Sequence, residues 1–321
     1  MRRSAVTLLL TVLLYLAAAP APSGAIPGSI VVSQVLLYDN PDGCTSAPCG
    51  FYQVWWGRPS GPYAQMLALG LDESYGDYMA PTVSPTGDRF VYTTRDAVLM
   101  IAQLDARTGA HSADRMLLSP RRLGAAPTSV AWSPGGGRLV MMEGFGHKGL
   151  WVINADGSGL RRIPCRCHID VFTGHGVAWN DAGIAFSGSV GERQGIEVVQ
   201  PDGHGLHIVT LADRSSDDSR PAWSPDGRHI AFMRGGGNEN GGEGGVIYTA
   251  AATGGHLHRV GPGNAPVYSP HGRYLAYADP FDSERELTGL HIRDLWSGSR
   301  PVRLPYYLGS YGFVDQLTWL P

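Results

Sequence analysis

The side chains best suited to chemistry in this sequence are four cysteines, eleven histidines and a scatter of tyrosines and acids. Cys44 and Cys49 bracket a Thr-Ser-Ala-Pro loop, a spacing that a local disulfide can close. Cys165 and Cys167 form a Cys-x-Cys with His168 beside it. Three near-adjacent residues rarely supply a tetrahedral ligand set, and no second cluster follows, so a disulfide or free thiols are expected there and not a metal. His256 and His258 have strand spacing but fall on a short, outlying segment, where a solvent-facing role is expected. His168 and His175 precede the third repeat described below, with Asp170 as their one nearby acid. The run Gly235–Gly245 carries Asn238, Glu239, Asn240 and Glu243, whose oxygens could hold calcium. It lacks the fixed oxygen spacing of a calcium loop, and a long connection needs no ligand. No cofactor is therefore expected, with calcium or another divalent ion as the alternative.

Signatures of common enzyme classes are missing. The sequence contains no Gly-x-Ser-x-Gly nucleophile turn, no His-Glu-x-x-His, and no phosphate loop around its single lysine, Lys148. The formal charge of −3 becomes −5 without Arg2 and Arg3, which gives no general attraction to nucleic acid or anionic lipid.

Those two arginines precede an apolar run from Val6 to Ala19 and small residues at Ser23 and Ala25. This reads as a secretory signal peptide over residues 1–25, in preference to an uncleaved anchor, because the run is short for a bilayer and no second one follows. A secreted, periplasmic or cell-envelope location is expected, with no transmembrane segment after cleavage. The remaining 26–321 read as one domain. With 44 glycines, 23 prolines and 17% charged residues, it favours many short strands over long helices or disorder.

One phrase recurs through that domain. It begins at Val83-Ser-Pro-Thr-Gly, Trp132-Ser-Pro-Gly-Gly, Trp223-Ser-Pro-Asp-Gly and Tyr268-Ser-Pro-His-Gly, with a shortened copy at Trp179 and a truncated one at Trp319. The intervals are 49, 47, 44, 45 and 51 residues. Proline and glycine set a turn that folds one strand onto the next. The triplet after the turn, such as Ile230-Ala231-Phe232, places its outer members on one strand face and a small residue on the other. Gly149–Gly157, Gly195–Gly203, Gly245–Thr249 and Gly289–Arg293 supply third strands, and Leu206–Thr210 and His256–Val260 supply fourth strands. Four antiparallel strands per period of this length predict β-propeller blades. The last copy lacks three strands, and Val35–Asp39, Phe51–Gly57 and Ala64–Leu69 match them. An all-β, six-bladed propeller is expected, its last blade stitched from both chain ends.

The Trp-Ser-Pro-Asp-Gly-x-x-Ile-Ala-Phe phrase of Trp223–Phe232 resembles the repeat of TolB-type, WD-like propellers, found also beside prolyl-oligopeptidase-type domains. The other copies depart from it at Val83, Tyr268 and the shortened Trp179 segment. The resemblance implies a six-bladed ring in the cell envelope. Neither a TolB-type N-terminal α/β domain nor a hydrolase domain is expected beside it.

In this arrangement the Ser-Pro turns share one face, and the longer second-to-third and inter-blade loops share the other. Loops on a rigid scaffold are where binding residues concentrate. Asp72, Glu73, Tyr75, Asp77 and Tyr78 lie on one side of the stitched blade, and Tyr306, Tyr307 and Tyr311 on the other. They form either a binding patch or a seal on the closing seam. Asp72, Tyr75, Asp77, Tyr78, Tyr306, Tyr307 and Tyr311 are the candidate binding residues, and no catalytic or metal residue is assigned. The expected function is non-enzymatic binding of a protein or peptide by a monomer. The alternatives are a metal-dependent lactonase or polysaccharide lyase, or a carbohydrate-binding propeller.

Overall fold

A computed structural model of the chain describes residues 26–38, 49–59, 63–68, 81–94, 96, 98–105, 111–124, 127–143, 149–169, 176–236, 245–280, 288–306 and 312–321. Its strands begin with β1 (Ser29–Tyr38), β2 (Cys49–Gly57) and β3 (Tyr63–Ala68). The next sheet is β4 (Thr82–Val83), β5 (Arg89–Thr93), β6 (Leu99–Leu104) and β7 (His111–Leu118), followed by a one-turn helix α1 (Pro120–Leu123). Then come β8 (Ser129–Trp132), β9 (Arg138–Glu143), β10 (Gly149–Asn154) and β11 (Arg161–Arg162). The fourth group is β12 (Val177–Asn180), β13 (Gly183–Val190), β14 (Arg193–Val199) and β15 (His207–Leu211). The fifth is β16 (Ser216–Trp223), β17 (His229–Gly236), β18 (Val246–Ala251) and β19 (His258–Pro262). The last is β20 (Asn264–Tyr268), β21 (Tyr274–Ala278), β22 (Thr288–Asp294) and β23 (Val302–Tyr306), before the final strand β24 (Gly312–Leu320).

These strands form six four-stranded antiparallel sheets, the propeller blades expected from the repeat. The innermost strands β4, β8, β12, β16, β20 and β24 contact one another in succession, and β24 meets β4 to complete the ring. In the stitched blade the order is β24-β1-β2-β3. Its β1 starts at Ser29, six residues earlier than the sequence match at Val35, because it runs the length of β24: Ile30 opposes Trp319 and Val32 opposes Leu317.

The repeated phrase is spent on its own turn. Ser224 Oγ accepts the His229 amide at 2.9 Å, and Gly227 donates to Ser224 O at 2.9 Å with φ of +68°, where glycine is the easy choice. The Ser84, Ser133 and Ser269 hydroxyls accept the matching amides of Arg89, Arg138 and Tyr274 at 3.0–3.1 Å. The residue after each turn then reaches the next blade. Arg89 lies over the Trp132 ring at 5.2 Å, Arg138 over Trp179 at 5.0 Å, and Tyr274 stacks on Trp319 at 6.3 Å.

Side-chain size explains the triplet. The large outer pair of each second strand shares a buried cluster with the small or branched middle residue of the blade before it. Ile230 and Phe232 join Ala185, Leu275 and Tyr277 join Ala231, and Ile184 and Phe186 join Val140. Leu139 and Met141 join Val91 in the same way, and Phe90 and Tyr92 join Val31. At the seam, Ile30 and Val32 of β1 join Ala276. One close-packed cluster thus stands at each of the six blade interfaces, with a small middle residue admitting its neighbour's bulk.

The seam is pinned from both sides. Asn264 Nδ2 donates to Val314 O at 2.8 Å, Gln316 Nε2 to Thr82 Oγ1 at 3.1 Å, Ser33 Oγ to Pro81 O at 2.7 Å, and Trp319 Nε1 to Pro27 O at 3.1 Å. Trp319 is 7% exposed and combines the stack, the hydrogen bond and the strand pairing. Trp319→Ala is expected to cost about 3–5 kcal/mol, read as a lower urea midpoint in equilibrium unfolding.

Candidate functional site: the central channel and its long-loop mouth

The channel is built from the innermost strands, whose alternation sends every second side chain toward the ring axis. Counting back from the first residue of each motif copy, the first position gives Thr82, Ala131, Ala178, Ala222, Val267 and Thr318. The third position gives Ser129, Gly176, Arg220, Ala265 and Gln316. All of them line one cavity of about 320 Å³ walled by all six inner strands. Most are small because six strands converge there. At Gly176 a Cβ would stand 2.6 Å from the backbone of Arg220, so the adjoining strands fit only with glycine.

Arg220 is the one charged residue among the described lining residues. It sits where β16 bulges against β17 between Ser219 and Ala222, with φ of +53°, a conformation uncommon outside glycine. β20 repeats the bulge between Asn264 and Val267, with Ala265 at +48°, held by the Asn264 side chain accepting the Ala265 amide at 2.8 Å. Gln316, Ser129 and Thr82 add amide and hydroxyl groups to the wall. Part of this polar lining is already paired: Gln316 Nε2 donates to Thr82 Oγ1 at 3.1 Å, and Ser129 Oγ accepts the Val177 amide at 3.2 Å.

Toward the long-loop face the blades hold buried charges. Asp218 is fully buried and takes Arg234 Nε at 2.6 Å, Arg234 Nη2 at 2.8 Å and Thr210 Oγ1 at 2.6 Å, tying two blades together. Asp279 takes the Gly289 amide at 2.7 Å and Arg303 Nη2 at 2.7 Å, and His291 Nε2 lies 2.5 Å from its other oxygen. Burial opposes ionisation of Asp279, but these partners hold its carboxyl well below the usual carboxylate range. Glu143, Gly149 and Arg162 occupy the corresponding positions of the blade β8–β11. Glu197 differs from these acids. It is 2% exposed at the interface between the blades β8–β11 and β12–β15, Oε1 has no hydrogen-bond partner, and burial pushes its carboxyl up to about 7.

The residues singled out from sequence fall as follows. Tyr306 ends β23, while Asp72, Tyr75, Asp77, Tyr78, Tyr307 and Tyr311 lie outside the described residues, as does Cys44. Cys49 opens β2. Cys165 and Cys167 form a disulfide with a Cα–Cα distance of 5.1 Å, which decides between the alternatives left open for them. His258 is exposed on the outermost strand β19, and His168 is exposed beside the bridge. Among the described residues no three His, Cys, Asp or Glu side chains stand together at metal-binding distance, and no helix is long and apolar enough to cross a membrane. Sequence reasoning missed the channel wall, although the motif frame carried the signal: residues one and three places before the first residue of each motif share the strand face opposite to it.

The sequence matches no protein-family profile and no curated protein. Solved structures do resemble the fold. TolB from Acinetobacter baumannii superimposes with a TM-score of 0.63 at 18% identity, over 94% of this chain and 68% of that one. The fold is TolB-like. A putative TolB from Agrobacterium tumefaciens gives 0.55 at 12% identity, over 92% of this chain and 100% of that one. A putative 6-phosphogluconolactonase from Bacteroides fragilis gives 0.50 at 13% identity, over 90% and 98%. At such identities the likeness concerns the TolB-like ring itself and not the chemistry at its mouth.

Glu197 makes a pH signature of the blade interface. Its folded value stands above its ordinary 4.5, so its contribution is fully present below pH 4.5 and is lost as pH rises through about 7. Wild type should lose up to about 3 kcal/mol from this group between those limits. Glu197→Gln should remove that slope in urea unfolding series run from pH 4.5 to pH 8.

Proposed function

We propose that this chain is an exported propeller that binds a protein or peptide partner through its long-loop face, with an extended stretch of the partner entering the channel. The observation that carries the reading is the channel itself, about 320 Å³ and lined by residues of all six inner strands. An extended chain offers amides and carbonyls to the remaining hydrogen-bonding capacity of Gln316, Ser129 and Thr82. The basic and apolar leader at Arg2–Ala19 supports export to the envelope or beyond. The tyrosines at Tyr75, Tyr78, Tyr306, Tyr307 and Tyr311, with Asp72 and Asp77, belong by sequence to loops on the same face and supply contact area around the mouth.

Two variants test this reading in pull-downs from the exported fraction of the source cells. Ala178→Trp, which puts a bulky ring on the channel wall, is expected to lower captured partner about tenfold. The combined replacement of Tyr75, Tyr78, Tyr307 and Tyr311 by Ala should abolish capture with little change in Tm. Unchanged capture by both variants would contradict the assignment. A stoichiometric divalent metal in purified protein would favour the metal-dependent enzyme instead.

A further inference from the structure

The Cys165–Cys167 bridge lies in the connection between β11 and β12, away from the channel wall. The segment is pinned at Ile163 and Ile169, both buried in the cluster between the blades β8–β11 and β12–β15. Between these pins Pro164, Arg166 and His168 are exposed, and the two cysteines are half-buried. The bridge closes a loop containing one residue, Arg166. Cross-links restrict the unfolded chain more as the loop lengthens, so a loop this short adds little to stability.

Its surroundings suit sulfur chemistry. Arg166, between the two cysteines in sequence, is exposed, and a cation beside a cysteine favours its thiolate. The underside of the segment is not a sealed apolar joint. His168 O accepts the Ser189 amide at 2.9 Å, and the space over Gly188 is bordered by both that carbonyl and Glu197. A Cβ built there would stand 2.6 Å from Glu197 Oε1 and 3.2 Å from His168 O. The partnerless oxygen of a carboxyl that is 2% exposed thus faces the same inter-blade space as the segment carrying the bridge.

We propose that the Cys165–Cys167 pair is a thiol–disulfide exchange site that oxidises a dithiol of another exported protein. A thiolate of the partner attacks one bridge sulfur, the Cys165–Cys167 bond breaks, and the other cysteine leaves as a thiolate that takes up a proton. The partner's second thiolate attacks its own sulfur in the mixed disulfide and releases the first cysteine, which is protonated in turn. Two electrons pass to the bridge, which ends as two thiols, and the partner gains one disulfide. This activity goes beyond partner binding at the long-loop face and does not depend on it.

The test uses the full oxidised chain and a synthetic peptide carrying two cysteines, with alkylation and mass spectrometry at timed intervals. Peptide disulfide should form at least tenfold faster with wild type than with Cys165→Ser/Cys167→Ser, and alkylated Cys165 and Cys167 should appear in step with it. Equal rates for the two proteins would overturn the proposal. Should the double variant fail to fold, the wild-type chain decides alone: a bridge that stays closed under excess peptide while the chain is folded also overturns it.

Discussion

Closing the ring is the constraint on which everything else rests. Any sheet array that stops short leaves one blade interface open and one strand edge unpaired. Here the first described strand and the last pair along their length, from Ser29 opposite Leu320 to Leu36 opposite Gly312. The two ends of the chain thereby form the core of one blade, and Trp319 meets Pro27 O while stacking on the blade before it. Such pairing is slow to find, because long-range contacts repay chain ordering only once they form. Once made, it holds six otherwise marginal four-stranded sheets in a single unit.

Closure also dictates the division of labour between the two faces. The Ser-Pro turns face one way and use their hydroxyls, amides and glycines internally, leaving little to offer a ligand. At the opposite ends of the strands stand the buried carboxylates Asp218 and Asp279, paired with Arg234 and Arg303; the described connections there include ones as short as Gly191 with Glu192, and Gly263 alone. Those pairs fix the strand ends from which the loops depart. Because charges buried this way are strongly destabilising when one partner is removed, they set loop geometry as well as strength. Carboxylates fixed by paired cations at these strand ends are the physical basis for reading that face as the binding side.

Much of the architecture was legible in the sequence because each repeat needs the same turn and the same alternation of large and small. Trp223–Phe232 states the turn and the triplet in full, and the shortened copy at Trp179 still forms β12 and β13 because Asn180 Oδ1 accepts the Ala182 amide at 2.9 Å and takes over the turn. The start of β1 was less legible, since Ile30-Val31-Val32 carries no turn signal and gains its strand only by pairing with its neighbours β24 and β2. The channel wall was hidden for a different reason. Arg220 and Gln316 acquire meaning only when inner strands converge, and beyond their place in the motif frame nothing local distinguishes them from surface residues. The same holds for Glu197, an ordinary strand glutamate until two blades bury it.

A ring stitched from both chain ends should behave as one cooperative unit. Native-state hydrogen exchange across increasing denaturant measures this strand by strand. If closure governs stability, amides of β1 and β24 open with the same free energy as those of β13 and β17, through global unfolding alone. Opening of β24 at much lower free energy, with the other five blades still protected, would contradict it.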